Sequence, residues 1–201
     1  MKQKFVDKCM SIIRNNNKNL TSRDIDKFRY GLEGFYLNTT KIVFIVIVSL
    51  ILGIFKETIL LLFLFNIIRF TGFGVHARKS LHCLVSSTIF FIGFPLICIY
   101  AKIPLLIKYI IILPLILMFG ILAPADTEKR PLIHKKRRII YKVLSVIIAI
   151  VYLVLSILTK NNTLSNCFIF SLIIQIIVML PITYKIFGVN YNNYKQYETN
   201  F

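Results

Sequence analysis

Six long apolar runs separated by blocks of charge constrain this chain more than any other feature: residues 42–55, 59–70, 84–100, 103–125, 139–158 and 167–182. A helix needs about 20 residues to cross about 30 Å of hydrocarbon. A segment in lipid must also satisfy its own backbone hydrogen bonds, which leaves helices as the spanning form for runs of this kind. The runs therefore predict an all-α fold, a polytopic bundle of about six transmembrane helices. At 57% hydrophobic residues and a mean hydropathy of +0.74, the composition lies outside the range of ordinary soluble domains. Only Lys56-Glu57-Thr58 separates the first two runs. They form either a tight hairpin of two short spans or one long tilted span broken near Phe55.

A net charge of +17 raises the question of nucleic acid, and the placement of the cations answers it. Of the 25 Lys and Arg residues, nine precede the first run, three lie at or after the end of the second (Arg69, Arg78, Lys79), seven follow the fourth and two follow the sixth (Lys185, Lys195), so that 21 fall on one side of a six-span topology. The positive-inside rule then puts both termini and the basic loops in the cytoplasm of a multi-pass cell-membrane protein, with no nucleic acid as partner. An odd number of spans breaks this alternation. The cluster Lys135–Arg138 is explained by topology alone, and Lys108, near the outer end of its span, is expected to snorkel to the interface. The first 40 residues hold no continuous apolar core, so no cleavable signal peptide is expected and the first span acts as the insertion signal.

Three regions follow. Residues 1–41 form a cytoplasmic or interfacial amphipathic region, 42–187 the transmembrane domain and 188–201 a flexible cytoplasmic tail, Asn- and Tyr-rich with no apolar period. In the first region Phe5, Cys9, Ile12 and Ile13 recur at helical spacing. Asn15-Asn16-Asn17 interrupts them, and Thr21-x-x-Asp24 opens a second helix, to about Leu37, with a capping box. Basic faces on such helices suit anionic lipid headgroups. Four cysteines, Cys9, Cys83, Cys98 and Cys167, make no Cys-x-x-Cys pair or regular spacing, which argues against a disulfide framework.

Chemistry concentrates after the second run, in Arg69-Phe-Thr-Gly-Phe-Gly-Val-His-Ala-Arg-Lys-Ser-Leu-His-Cys83. A cysteine acts as a nucleophile through its thiolate, favoured by a nearby cation, an imidazolium or a helix N-terminus. His76, Arg78 and Lys79 and the start of the third span offer all three. On one straight helix His76 and Cys83 stand about 10.5 Å apart along the axis, too far for a contact of about 3–4 Å. A dyad therefore needs a non-helical break at residues 72–75 and a chain that folds back before Cys83. His82, adjacent to Cys83, points away from it on a helix and is the weaker base. A zinc site of His76, His82 and Cys83 fits no common ligand spacing, so neither metal nor cofactor is expected. After the fourth run, Asp126 and Glu128 either orient His76 or pair with local cations in a turn shaped by Pro124 and Pro131.

Gly74-Val75-His76-Ala77-x5-Cys83-x3-Ser87, preceded by Arg69, resembles the accessory gene regulator B family of membrane cysteine endopeptidases. Tyr30-Gly31-Leu32-Glu33 and Ala123-Pro124-Ala125-Asp126-Thr127-Glu128-Lys129-Arg130-Pro131 agree with that pattern. The resemblance implies that Cys83 is the nucleophile and His76 its general base, within a transmembrane catalytic domain. It also implies the substrate, an autoinducer propeptide with an amphipathic leader and an acidic tail, cut through an acyl-thioester and cyclised to a thiolactone or lactone. Arg78, Lys79, Lys129 and Arg130 suit the acidic tail. Gly74 permits close backbone approach beside His76, Arg69 anchors the span end or donates to a carboxylate, and Ser87 lies one turn from Cys83. A homodimer is expected. The competing reading is a small membrane transporter or scaffold with a non-catalytic His/Cys loop, which predicts a polar lining at mid-membrane depth.

Overall fold

The computed structural model describes residues 2–17, 20–75, 80–127 and 131–198. It divides into two units, Met1–Ile47 and Val48–Phe201. Among the described residues the regular structure is helical, as the apolar runs predict: α1 (Lys2–Asn16), α2 (Ser22–Ile51), α3 (Phe55–Gly72), α4 (Ser80–Thr88), α5 (Phe94–Tyr100), α6 (Leu105–Leu122), α7 (Lys135–Leu158), α8 (Asn162–Met179), α9 (Pro181–Ile186) and α10 (Lys195–Glu198).

In the first unit α1 and the beginning of α2 run antiparallel, joined by Lys2–Glu33 at 3.0 Å, Arg29–Asp7 at 3.2 Å and a Phe5–Tyr36 ring contact at 5.3 Å. The ion pairs are solvent-exposed and so contribute little. Half of the capping box forms: Asp24 N donates to Thr21 Oγ1 at 3.3 Å, while the Asp24 carboxylate accepts from the Thr21 hydroxyl at 2.6 Å. The buried residues of α1 are Val6 and Met10, and Phe5 and Ile12 stay exposed. Helix α2 does not stop near Leu37: no Gly, Pro or capping signal follows, so the amphipathic helix continues into the first apolar run.

In the second unit the first two runs are separate helices. Leu52 and Gly53 make the turn between them, with Gly53 at φ +69°, a backbone that glycine adopts without strain. Five helical segments are long and apolar enough to cross a membrane: Asp24–Ile51, Cys83–Tyr100, Leu105–Leu122, Lys135–Leu158 and Asn162–Met179. The sixth expected span is α3, 18 residues long, with Lys56, Glu57 and Arg69 near its ends. The axis of the bundle is α8. Its apolar window is 61% buried, against 11–28% for the others, and α3, α5, α6, α7 and α9 all pack on it.

A π-helical turn, Ile89–Gly93, joins α4 to α5 without breaking the helix. Pro95 follows it, lacking an N–H and crowding the carbonyl four residues earlier. A locally widened turn accommodates both.

At one end of the bundle Lys108 does not snorkel. It is 6% exposed and donates to Ser165 Oγ at 2.6 Å, and Ser165 in turn donates to the Ser156 carbonyl. The reason is local: Ser165 offers an acceptor inside the bundle, so the ammonium need not reach water.

Candidate active site

The opposite end of the bundle holds the residues that the sequence marks for chemistry. Helix α3 ends at Gly72, and the expected break is present: Phe73 at φ +56° and Gly74 at φ +114° turn the chain into an extended stretch through Val75. Every backbone polar group of residues 73–75 is used. Phe73 N donates to Arg69 O at 3.0 Å, Gly74 N to Ala125 O at 2.8 Å and Val75 N to Val178 O at 2.9 Å. Gln175 Nε2 donates to the Phe73 carbonyl at 2.8 Å, and Arg69 Nη2 forks across the carbonyls of Gly74 and Val75 at 3.1 and 2.7 Å. Ala125 N returns to Gly72 O at 3.0 Å, completing an isolated parallel bridge between Phe73 and Ala125. The stretch preceding His76 is thus held by α3, by α8 and by the loop after α6.

Two glycines make this crossing possible. A Cβ on Gly72 lies 2.5 Å from Gln175 Nε2. One on Gly74 lies 2.6 Å from Arg69 Nη1 and 2.8 Å from the Val178 carbonyl, besides opposing a positive φ. Gly72 and Gly74 are therefore the gaps through which two buried side chains reach the backbone.

Cys83 is the fourth residue of α4, half-buried and without a disulfide. It sits in the first turn of a helix, where amide N–H groups point outward and the dipole favours negative charge. Arg69 lies within electrostatic reach of both Cys83 and Tyr184, so the structure brings together Arg69, Gly74 and Cys83. Its second guanidinium nitrogen, Nη1, is buried without a hydrogen-bond partner among the described residues. Phe65 flanks the guanidinium, 5.8 Å from ring centroid to Cζ. Ser87 is buried one turn beyond Cys83. His76, Arg78, Lys79, Glu128, Lys129 and Arg130, and the side chain of His82, lie outside the described residues.

Asp126 has main-chain partners that its sequence surroundings do not announce. Its residue is 1% exposed, and its carboxylate accepts the backbone N–H groups of Asn193 at 3.0 Å, Tyr194 at 2.9 Å and Leu132 at 3.4 Å. Burial pushes its carboxyl above the ordinary range, against those three donors and the positive charge of Arg138. The carboxylate is a staple for main chain. It also accounts for the tail: Asn193 is 2% exposed, Arg138 stacks over the Tyr194 ring at 3.8 Å, and the tail through residue 194 therefore has fixed partners where composition suggests none.

Sequence reasoning misses Tyr184, which is fully buried and contacts the carbonyls of Ala125 and Asp126 with its hydroxyl at 2.9 Å each. Burial raises its pKa, so it remains a donor at neutral pH. Gln175, a polar residue inside the last apolar run, holds Phe73. Nothing local signals either role, since each partner lies 58 to 102 residues away along the chain.

Residues 6–179 match the model of the family described as Accessory gene regulator B. A putative AgrB-like protein of Clostridium acetobutylicum is 32% identical over 187 residues, covering 90% of this chain and 88% of that protein. A putative AgrB-like protein of Listeria monocytogenes is 28% identical over 177 residues, 86% and 84% of the two chains. Accessory gene regulator protein B of Staphylococcus saprophyticus is 30% identical over 164 residues, 82% and 86%. No solved structure matches.

Proposed function

The chain belongs to the accessory gene regulator B family, and from that premise we propose that it is a membrane-embedded cysteine endopeptidase that processes an autoinducer propeptide. The observation that carries this reading is the fully bonded stretch of residues 73–75. It fixes the backbone that enters His76, while the guanidinium holding it lies within electrostatic reach of Cys83. Such over-determination of a strained segment is what a precisely aimed group needs.

In the proposed reaction His76 takes the proton of Cys83 Sγ, and the thiolate attacks the scissile carbonyl carbon. The C–N bond breaks, His76 returns the proton to the leaving amine, and the acyl group remains on Cys83 as a thioester. An internal Cys or Ser of the substrate then attacks that carbonyl, closing a thiolactone or lactone and releasing the Cys83 thiol. A tethered nucleophile competes with water because its effective concentration is high. Arg78, Lys79, Lys129 and Arg130 attract the acidic tail, and the amphipathic leader holds the propeptide on the same cytoplasmic surface, alongside anionic lipid. The enzyme acts as a homodimer. The transporter or scaffold reading draws little support from the spans: Ser165, Asn166 and Gln175 spend their donors on neighbouring carbonyls.

Co-expression with a candidate propeptide tests the mechanism. Cys83→Ala and His76→Ala are each expected to reduce cleavage by about 10³-fold or more, with the protein still in the membrane. Cleavage that survives Cys83→Ala overturns the thiol mechanism. Unchanged cleavage on neutralising Lys129 and Arg130 at physiological salt removes their role in tail binding.

A further inference from the structure

Cys98 and Cys167 meet inside the bundle, on helices that are antiparallel and in register. Phe94 on α5 stacks on Phe170 on α8 at 5.3 Å. One turn on, Asn166 Nδ2 donates to the Cys98 carbonyl at 3.0 Å and to the Ala101 carbonyl at 2.7 Å, and Asn162 Nδ2 donates to Ala101 O at 3.1 Å. Between these two anchors Cys98 and Cys167 lie side by side, near enough for each thiol to act on the other, and both residues are 0% exposed. Their spacing of 69 positions in sequence hides the pairing completely.

We infer that Cys98 and Cys167 are an oxidisable pair, a covalent modification site at which a lipid-soluble oxidant joins α5 to α8 through a disulfide. Cysteines held opposite each other on two packed helices are placed for S–S geometry, and the flanking amide anchors keep the Cα atoms from separating. Their surroundings select the co-reactant. A quinone or a small apolar disulfide concentrates in the hydrocarbon around the bundle and meets the pair when α5 and α8 part locally, whereas water-borne oxidants are kept out of that layer. With a quinone, two S–H bonds break and one S–S bond forms, and the quinone takes both electrons and both protons to become the quinol. With a disulfide RSSR, one protein thiol displaces RSH to give a mixed disulfide, and the second protein thiol displaces the other RSH. The link fastens the helix that carries Cys83 to the helix that carries Gln175 and Val178. It is independent of the proposed peptidase chemistry.

The test uses the full chain in liposomes, with Cys9→Ser and Cys83→Ser removing the other thiols, treated with a dipyridyl disulfide or a short-chain quinone. After unfolding, maleimide labelling and digestion, mass spectrometry is expected to find one peptide pair linked through Cys98 and Cys167. Both positions lose label in equal proportion, and a phosphine restores them. Cys98→Ala, checked for helicity by circular dichroism, is expected to leave Cys167 fully labelled. Full labelling of both thiols in the oxidised parent overturns the inference, as does linkage between isotopically distinct copies.

Discussion

The two ends of the bundle bury polar groups in opposite ways. At the Lys108 end the donors sit on regular helices and spend themselves on acceptors of neighbouring helices: Lys108 on Ser165, Ser165 on Ser156, Asn166 on Cys98 and Ala101. At the Arg69 end the bonded partners are stretches of non-helical chain, two residues hold positive φ, and a guanidinium nitrogen stays unpartnered among the described residues. The first arrangement joins helices. The second aims a segment, at the cost of backbone strain of the order of 1–3 kcal/mol at Phe73.

Substitutions break this contrast in a graded way. The largest effect is expected at Gly74. Gly74→Val forces a branched side chain against Arg69 Nη1 and the Val178 carbonyl and strains a backbone at φ +114°. Propeptide cleavage should fall by about 10²-fold or more, as small misplacements at reacting groups do, while membrane insertion, followed by fractionation, persists. Arg69→Lys comes next. A point ammonium cannot reproduce the fork across Gly74 O and Val75 O, and kcat should drop by about 10-fold to 100-fold, corresponding to about 1.4 to 2.7 kcal/mol. Cleavage near the parent rate in Arg69→Lys would show that the charge alone matters and not the fork.

How much of this was legible beforehand follows the reach of each signal. The apolar runs, the Thr21/Asp24 capping box and the break at Gly72–Gly74 are local patterns, and each has its counterpart in the structure. The length of α2 was missed, because an amphipathic pattern that runs into an apolar one carries no stop signal. Asp126, Tyr184 and Gln175 were beyond reach for a stronger reason: their partners lie in distant segments that meet only after the helices pack. Lys108 shows the same limit, since snorkelling and internal donation use one side chain and only a neighbouring helix decides between them.

At the Lys108 end the expected effects are on stability. Ser165→Ala removes the acceptor of a buried ammonium and should cost about 1–3 kcal/mol, read as a lower unfolding temperature in detergent. Lys108→Met replaces the cation by an apolar chain and should leave stability equal or raised, with cleavage unchanged. If Lys108→Met abolished cleavage, the two ends would be coupled and the contrast would fail.

Smallest is a pH effect at Asp126. Its carboxyl is raised above the unfolded value near 3.8, so the folded protein binds that proton more tightly than the unfolded chain. The resulting stabilisation is fully present below the unfolded pKa and is lost as pH rises through the folded one. Unfolding temperatures of the parent and Asp126→Asn, compared from pH 7 down to pH 4, should show the parent gaining on the variant as pH falls. A constant difference across that range would count against it.

The wide turn at Ile89–Gly93 has a consequence for how this helix tolerates change in length. Cys83 and Cys98 lie on either side of it, one facing the Arg69 corner and the other facing α8. A π turn holds one residue more than an α-helical turn, and each residue of an α-helix advances about 100° around the axis. Deleting one residue between 89 and 92 would let the turn close to regular winding with Cys83 still facing Arg69, whereas regular winding at the present length would swing Cys83 by about that angle away from Arg69. The supernumerary residue works as a phase shifter, allowing a single rod to present two sulfur atoms in two directions that regular winding would not give together.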